Sequence, residues 1–92
     1  MSEESILTLH PQGKSGRNIS KSKYDTMKAA ITSVLHDQRL TQNQLMARVE
    51  LKLRGTFEGN ISWYAETVKL DLEARNVIKR TSDQPQKYYL AN

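Results

Sequence analysis

The 92-residue chain has no cysteine, two histidines, and no apolar run of the roughly 18 residues that a membrane-spanning helix requires. Without cysteine there is no disulfide staple, no thiolate chemistry and no Cys-built zinc site. A metal centre would have to rest on His10, His36 and carboxylates, and no metal or other cofactor is expected. With two prolines and four glycines there is no low-complexity linker, and no internal repeat is visible. The opening Met1-Ser2-Glu3-Glu4 is acidic where a secretory leader is basic, so a cytoplasmic protein without membrane association is expected.

Chemistry of the usual kinds is equally thin. Gly13-Lys14-Ser15 looks like the end of a phosphate-binding loop, but Thr8 stands where that loop needs its first glycine. His36-Asp37 is a poor base and orienting acid, because adjacent helical residues point about 100° apart and no nucleophile stands nearby. The chain is not expected to be an enzyme, and no small-molecule ligand is expected.

What is present is 37% apolar and 26% charged residue content, with 14 Lys and Arg against 10 Asp and Glu for a net charge of +4. A chain of this length buries only about 60–65% of its unfolded surface, enough for one small core. Residues 1–20 carry no sustained period and are broken by Pro11, Gly13 and Gly16, which reads as a partly flexible arm whose short apolar cluster at Ile6, Leu7 and Leu9 fits a docked edge strand. From residue 21 onward the chain reads as one domain.

Tyr24, Met27, Ala30, Ile31, Val34 and Leu35 form one helical stripe, predicting a first helix over 22–37 with Ser22 as its N-cap. Thr41 and Gln44 have capping-box spacing ahead of a second helix to Leu53, with Leu45, Met46, Val49 and Leu53 inward. A third helix over 61–75 follows the N-cap Asn60, and Asn76 suits the left-handed position that closes it. Val77-Ile78 and Lys87-Tyr88-Tyr89-Leu90, separated by a polar turn at 81–86, read as a hairpin with Val77, Ile78, Tyr88 and Leu90 in the core.

Three helices followed by a β-hairpin resemble the winged-helix variant of the helix-turn-helix fold, an α+β architecture. The likeness is sharpest at Leu72-Glu73-Ala74-Arg75-Asn76-Val77-Ile78-Lys79-Arg80. With Lys23-Tyr24-Asp25, Ile61-Ser62-Trp63-Tyr64, Thr67-Val68-Lys69-Leu70 and Pro85-Gln86-Lys87-Tyr88, the chain is similar to a family of small, functionally uncharacterised bacterial winged-helix proteins. That resemblance implies a fold and a bacterial cytoplasm, and brings no activity with it.

On the third helix, Ile61, Ala65, Val68 and Leu72 share the core side, while Trp63, Glu66, Thr67, Leu70 and Asp71 are expected outward. Outward carboxylates repel phosphates, which argues against ordinary major-groove reading by this helix. Trp63, Thr67 and Leu70 are read either as a contact surface for a protein partner or a second copy of the chain, or as packing covered by the arm or Phe57. Stacking of bases on Trp63, or on Tyr88 and Tyr89 beside Lys87, is a lesser reading.

Positive charge gathers elsewhere. The segments 1–24, 38–59 and 77–92 each sum to +2, while 25–37 and 60–76 each sum to −1. The candidate nucleic-acid contacts are therefore Lys14, Arg17, Lys21 and Lys23 on the arm, Arg48, Lys52 and Arg54 on the second helix, and Lys79, Arg80 and Lys87 on the hairpin. Such a distribution fits a DNA-associated regulatory or accessory module that neutralises duplex phosphates with weak sequence preference.

Overall fold

The computed structural model describes residues 4–14 and 16–91. It is an α+β fold in the order β1 (Ser5–Leu7), β2 (Asn18–Ser20), α1 (Lys21–Val34), β3 (Leu40–Thr41), α2 (Gln42–Leu53), α3 (Ile61–Ala74), β4 (Ile78–Arg80) and β5 (Lys87–Leu90). Three helices pack on one another and on two small antiparallel sheets, β1-β2 and β3-β5-β4.

The core is made by the helical stripes. Met27, Ile31 and Leu35 of the first helical segment, Leu45 and Val49 of α2, and Val68 and Leu72 of α3 are almost wholly buried. Each such side chain contributes roughly 1.5–3 kcal/mol by leaving water. Leu40, Ile78 and Tyr88 close the core from the three-stranded sheet, and Ile19 closes it from the other.

Local signals set the helix ends. The capping box at α2 is complete: the Thr41 hydroxyl accepts the Gln44 N–H and the Gln44 side chain accepts the Thr41 N–H. Asn60 caps α3 by accepting the Trp63 N–H at 2.9 Å. After α3, Asn76 takes φ +63° and the Val77 N–H donates back to the Leu72 carbonyl at 2.8 Å, the bond that satisfies a terminal carbonyl when the chain turns left-handed.

Several expectations are corrected. Helix α1 begins and ends earlier than 22–37, because the Ser20 hydroxyl, not that of Ser22, accepts the Lys23 N–H, and Asp37 adopts a left-handed φ of +58°. The hairpin begins at Ile78, and a third strand unseen in the sequence, β3, pairs Leu40 with Tyr88 and Thr41 with Lys87.

The stretch read as an arm is a hairpin. Ser5 pairs with Ser20, Ile6 with Ile19 and Leu7 with Asn18, and Thr8 continues the ladder by exchanging hydrogen bonds with Arg17. The two sides approach so closely at Gly16 that a Cβ there would lie 1.6 Å from the Thr8 carbonyl oxygen, so only glycine fits. Ile19 of this hairpin belongs to the core.

Candidate functional site

Asp71, expected outward, is wholly buried. Its carboxylate accepts the Tyr24 hydroxyl from α1, the Leu9 N–H from the arm at 2.8 Å, and the Arg75 guanidinium Nε at 3.0 Å. An unpaired buried carboxylate would be very costly, and here three donors, one of them a cation, compensate it. Burial, then the hydrogen bond and charge of Asp71, push the Tyr24 hydroxyl up to about 12 from 10.0. The bond to Asp71 raises the Arg75 pKa as well.

Lys69 of α3 is also buried. Its ammonium donates to Gln42 Oε1 at 2.7 Å and to the Tyr88 hydroxyl at 3.1 Å, and lies 3.2 Å from Glu66. Gln42 donates in turn to the other Glu66 oxygen at 2.7 Å. This cluster ties the start of α2 to α3 and β5.

Glu73 completes the pattern. It receives a forked contact from Arg80 with distances of 2.8–3.0 Å. Burial lowers the Arg80 pKa, yet the hydrogen bonds and charge of Glu73 outweigh this and leave it raised. All three carboxylates of α3 thus face cations, and the repulsion of phosphates expected from them is cancelled within the fold.

The sequence-predicted cations fall into separate groups. Lys21 is held by Asp25 at 2.8 Å, which raises its pKa. Lys23 sits 5.3 Å from the centre of the Tyr64 ring, and Arg80 is committed to Glu73. Arg48, Lys52 and Arg54 are exposed, but α2 meets the wing at its N-terminus. Lys52 and Arg54 therefore lie on the order of 15 Å along the helix from that junction. Lys14, Arg17, Lys79 and Lys87 have no acidic partner among the described residues.

Strand register arranges the last two. Lys79 pairs with Tyr89 and Lys87 with Thr41, which puts Lys79, Lys87 and Tyr89 on the outer face of the sheet, opposite buried Ile78 and Tyr88. Arg39 stacks over the Tyr89 ring at 4.7 Å and extends this basic face. Sequence reasoning missed Arg39 because the strand beside it is two residues long; the period-two alternation of Lys87-Tyr88-Tyr89 was the available signal.

Trp63, Thr67 and Leu70 line a groove of about 270 Å3 together with Leu9, His10 and Arg17 of the arm. Trp63 remains 43% exposed and packs edge-on against Tyr64, which in turn packs against Phe57. The arm therefore borders the outer face of α3 without sealing it. A second groove, lined by Lys14, Leu9 and Ala74 among others, places the arm loop beside the last turn of α3.

A profile for a family of unknown function (DUF6958) matches residues 5–88, from the first strand of the arm into β5. The chain belongs to that family. The DUF6958 match takes in the arm hairpin, all three helices and the wing loop, so the Asp71 and Lys69 clusters both lie within the matched span. No curated protein and no solved structure matches the chain. Among the described residues no helix is long and apolar enough to cross a membrane.

Proposed function

We propose that this DUF6958 member is a winged-helix protein that binds double-stranded DNA through its arm and wing, with little sequence preference. The winged-helix reading is supported by the order of three helices and a C-terminal hairpin, with β3 adding to the hairpin from between α1 and α2. The observation that carries the binding reading is that both basic elements reach the last turn of α3: Lys14 lines one groove with Ala74, and the wing is fastened at Glu73 through Arg80. Lys14, Arg17, Lys79 and Lys87 supply positive charge with no acidic partner among the described residues, and Arg39 adds to it.

Base reading by α3 has little support. Its exposed or half-exposed outer residues are Ser62, Trp63, Glu66, Thr67 and Leu70, none of them the Arg, Lys, Asn or Gln that recognises base edges most strongly. Phosphate contact without base contact gives salt-sensitive, sequence-tolerant association. Such a role fits a regulatory or accessory DNA protein of the bacterial cytoplasm.

The test is fluorescence anisotropy of a labelled mixed-sequence duplex across a salt series. Binding is expected to weaken steeply with salt, and a Lys14→Gln, Lys79→Gln, Lys87→Gln variant is expected to flatten the slope by roughly one for each phosphate that is no longer neutralised. No binding at low salt, or an unchanged slope, overturns the reading. A second reading, contact with a protein or a second copy of the chain, is favoured by the exposure of Leu7, Leu9 and Trp63. Concentration-dependent sedimentation that Trp63→Ala abolishes in a folded protein would support it.

A further inference from the structure

The groove between the arm and α3 carries hydrogen-bond donors that nothing in the described structure uses. His10 Nδ1 accepts the Gln12 N–H at 3.1 Å, so the neutral ring carries its proton on Nε2 and keeps that N–H as a donor. The Arg17 guanidinium has no acidic partner among the described residues, and neither its side chain nor the Thr67 hydroxyl makes a hydrogen bond there. Glu66, the one carboxylate on the lining, is already satisfied by Gln42 and Lys69. The groove thus presents uncompensated positive charge and spare donors above an apolar floor of Leu9, Trp63 and Leu70.

The arm wall is set in advance of any ligand. Thr8 is buried and bonded to Arg17 through backbone and hydroxyl, and the Leu9 N–H is anchored on Asp71. A preformed apolar cleft with a few convergent polar groups has the anatomy of a small-ligand site. Its volume of about 270 Å3 lies just under the usual lower bound of roughly 300 Å3, which restricts the occupant to about one ring.

We propose that this groove binds a small aromatic monocarboxylate, its ring against Trp63, Leu9 and Leu70 and its carboxylate on Arg17, with His10 Nε2–H and the Thr67 hydroxyl as further donors. An Arg–carboxylate contact is charge-assisted and bidentate, and Trp63 offers an aromatic partner for edge-on or offset packing. Such a ligand departs from the expectation of no small-molecule partner; it engages Arg17, a cation also assigned to DNA, and its binding is therefore measured without nucleic acid.

Trp63 is the single tryptophan of the chain, so the fluorescence of the wild-type protein reports on this groove without any label or nucleic acid. At constant ionic strength, benzoate is expected to change that emission saturably, while benzyl alcohol, with the ring and no charge, and acetate, with the charge and no ring, bind far more weakly. Arg17→Gln, an exposed substitution whose folding is checked by circular dichroism and the urea midpoint, is expected to weaken benzoate by roughly tenfold, the effect of removing one charge-assisted pair. No saturable response to benzoate, equal responses to benzyl alcohol or acetate, or undiminished binding by the folded Arg17→Gln variant each overturns the proposal.

Discussion

The arm and the wing both set positive charge beside α3, and they are held there by different balances of polar and apolar contact. The base of the arm packs through Ile19 and Ile6, but its loop is fastened by polar contacts: the Leu9 N–H on the buried Asp71 carboxylate, with Tyr24 and Arg75 on the same group. The wing is fastened by apolar packing of Ile78 and Tyr88, with the Arg80–Glu73 pair at its margin. Apolar area shrinks gradually as side chains are trimmed, whereas a buried carboxylate supports every donor around it at once. One polar substitution should therefore release the arm beyond Leu7, and no single polar substitution should release the wing.

Asp71→Ala tests this most severely. It strands the Tyr24 hydroxyl and the Leu9 N–H and is expected to cost about 3 kcal/mol, the lower end of the range for breaking a buried pair, since Arg75 stays partly in water. Urea unfolding measures the total. Hydrogen exchange locates it: the Thr8 and Leu9 amides should lose protection well before Thr81 and Ala91, whose N–H groups bond across the wing. Simultaneous loss in both regions would show that the arm and wing form one cooperative unit.

Tyr24→Phe removes one donor from the same carboxylate and adds a pH signature. The Tyr24 hydroxyl stands at about 12 in the folded protein against 10.0 for a free phenol, through burial first and Asp71 second. A raised folded value means the stabilisation is complete below pH 10, where the phenol keeps its proton in both states, and is lost as the pH climbs towards 12. Wild type should lose about 2 kcal/mol across that window that Tyr24→Phe does not lose, so the two urea midpoints converge with rising pH. Parallel pH curves would remove Tyr24 from the account of the junction.

The helices, their inward stripes and the caps at Thr41 and Asn60 were legible in the sequence because they depend on residues three and four apart. Asp71 and Lys69 were not. Their burial depends on Tyr24 and Leu9, 47 and 62 residues from Asp71, and on Gln42 and Tyr88, 27 and 19 residues from Lys69. A charge read on one helix looks solvated until its distant partners are known. The strand at Ile6 and Leu7 was legible as an apolar cluster, but its partner β2 was not, since three-residue strands carry too little alternation to register, and their pairing rests on Thr8 meeting Arg17 across a turn. The candidate site was half visible: the cations were found, but which of them were already spent on Asp25, Glu73 or an aromatic ring needed the fold.

The finest test lies between two neighbours on β4. Arg80 and Lys79 are adjacent basic residues that the sequence treats alike, yet the strand alternates them, Arg80 inward onto a nearly buried Glu73 and Lys79 outward beside Tyr89. Arg80→Gln should cost stability of about 1 kcal/mol or less, because the pair is partly exposed, and should leave the salt slope of DNA binding unchanged. Lys79→Gln should do the reverse, leaving the urea midpoint in place and lowering the slope by roughly one. Equal slopes for the two variants would mean that Arg80 exchanges Glu73 for phosphate when DNA arrives, and the charge balance along α3 would then change on binding.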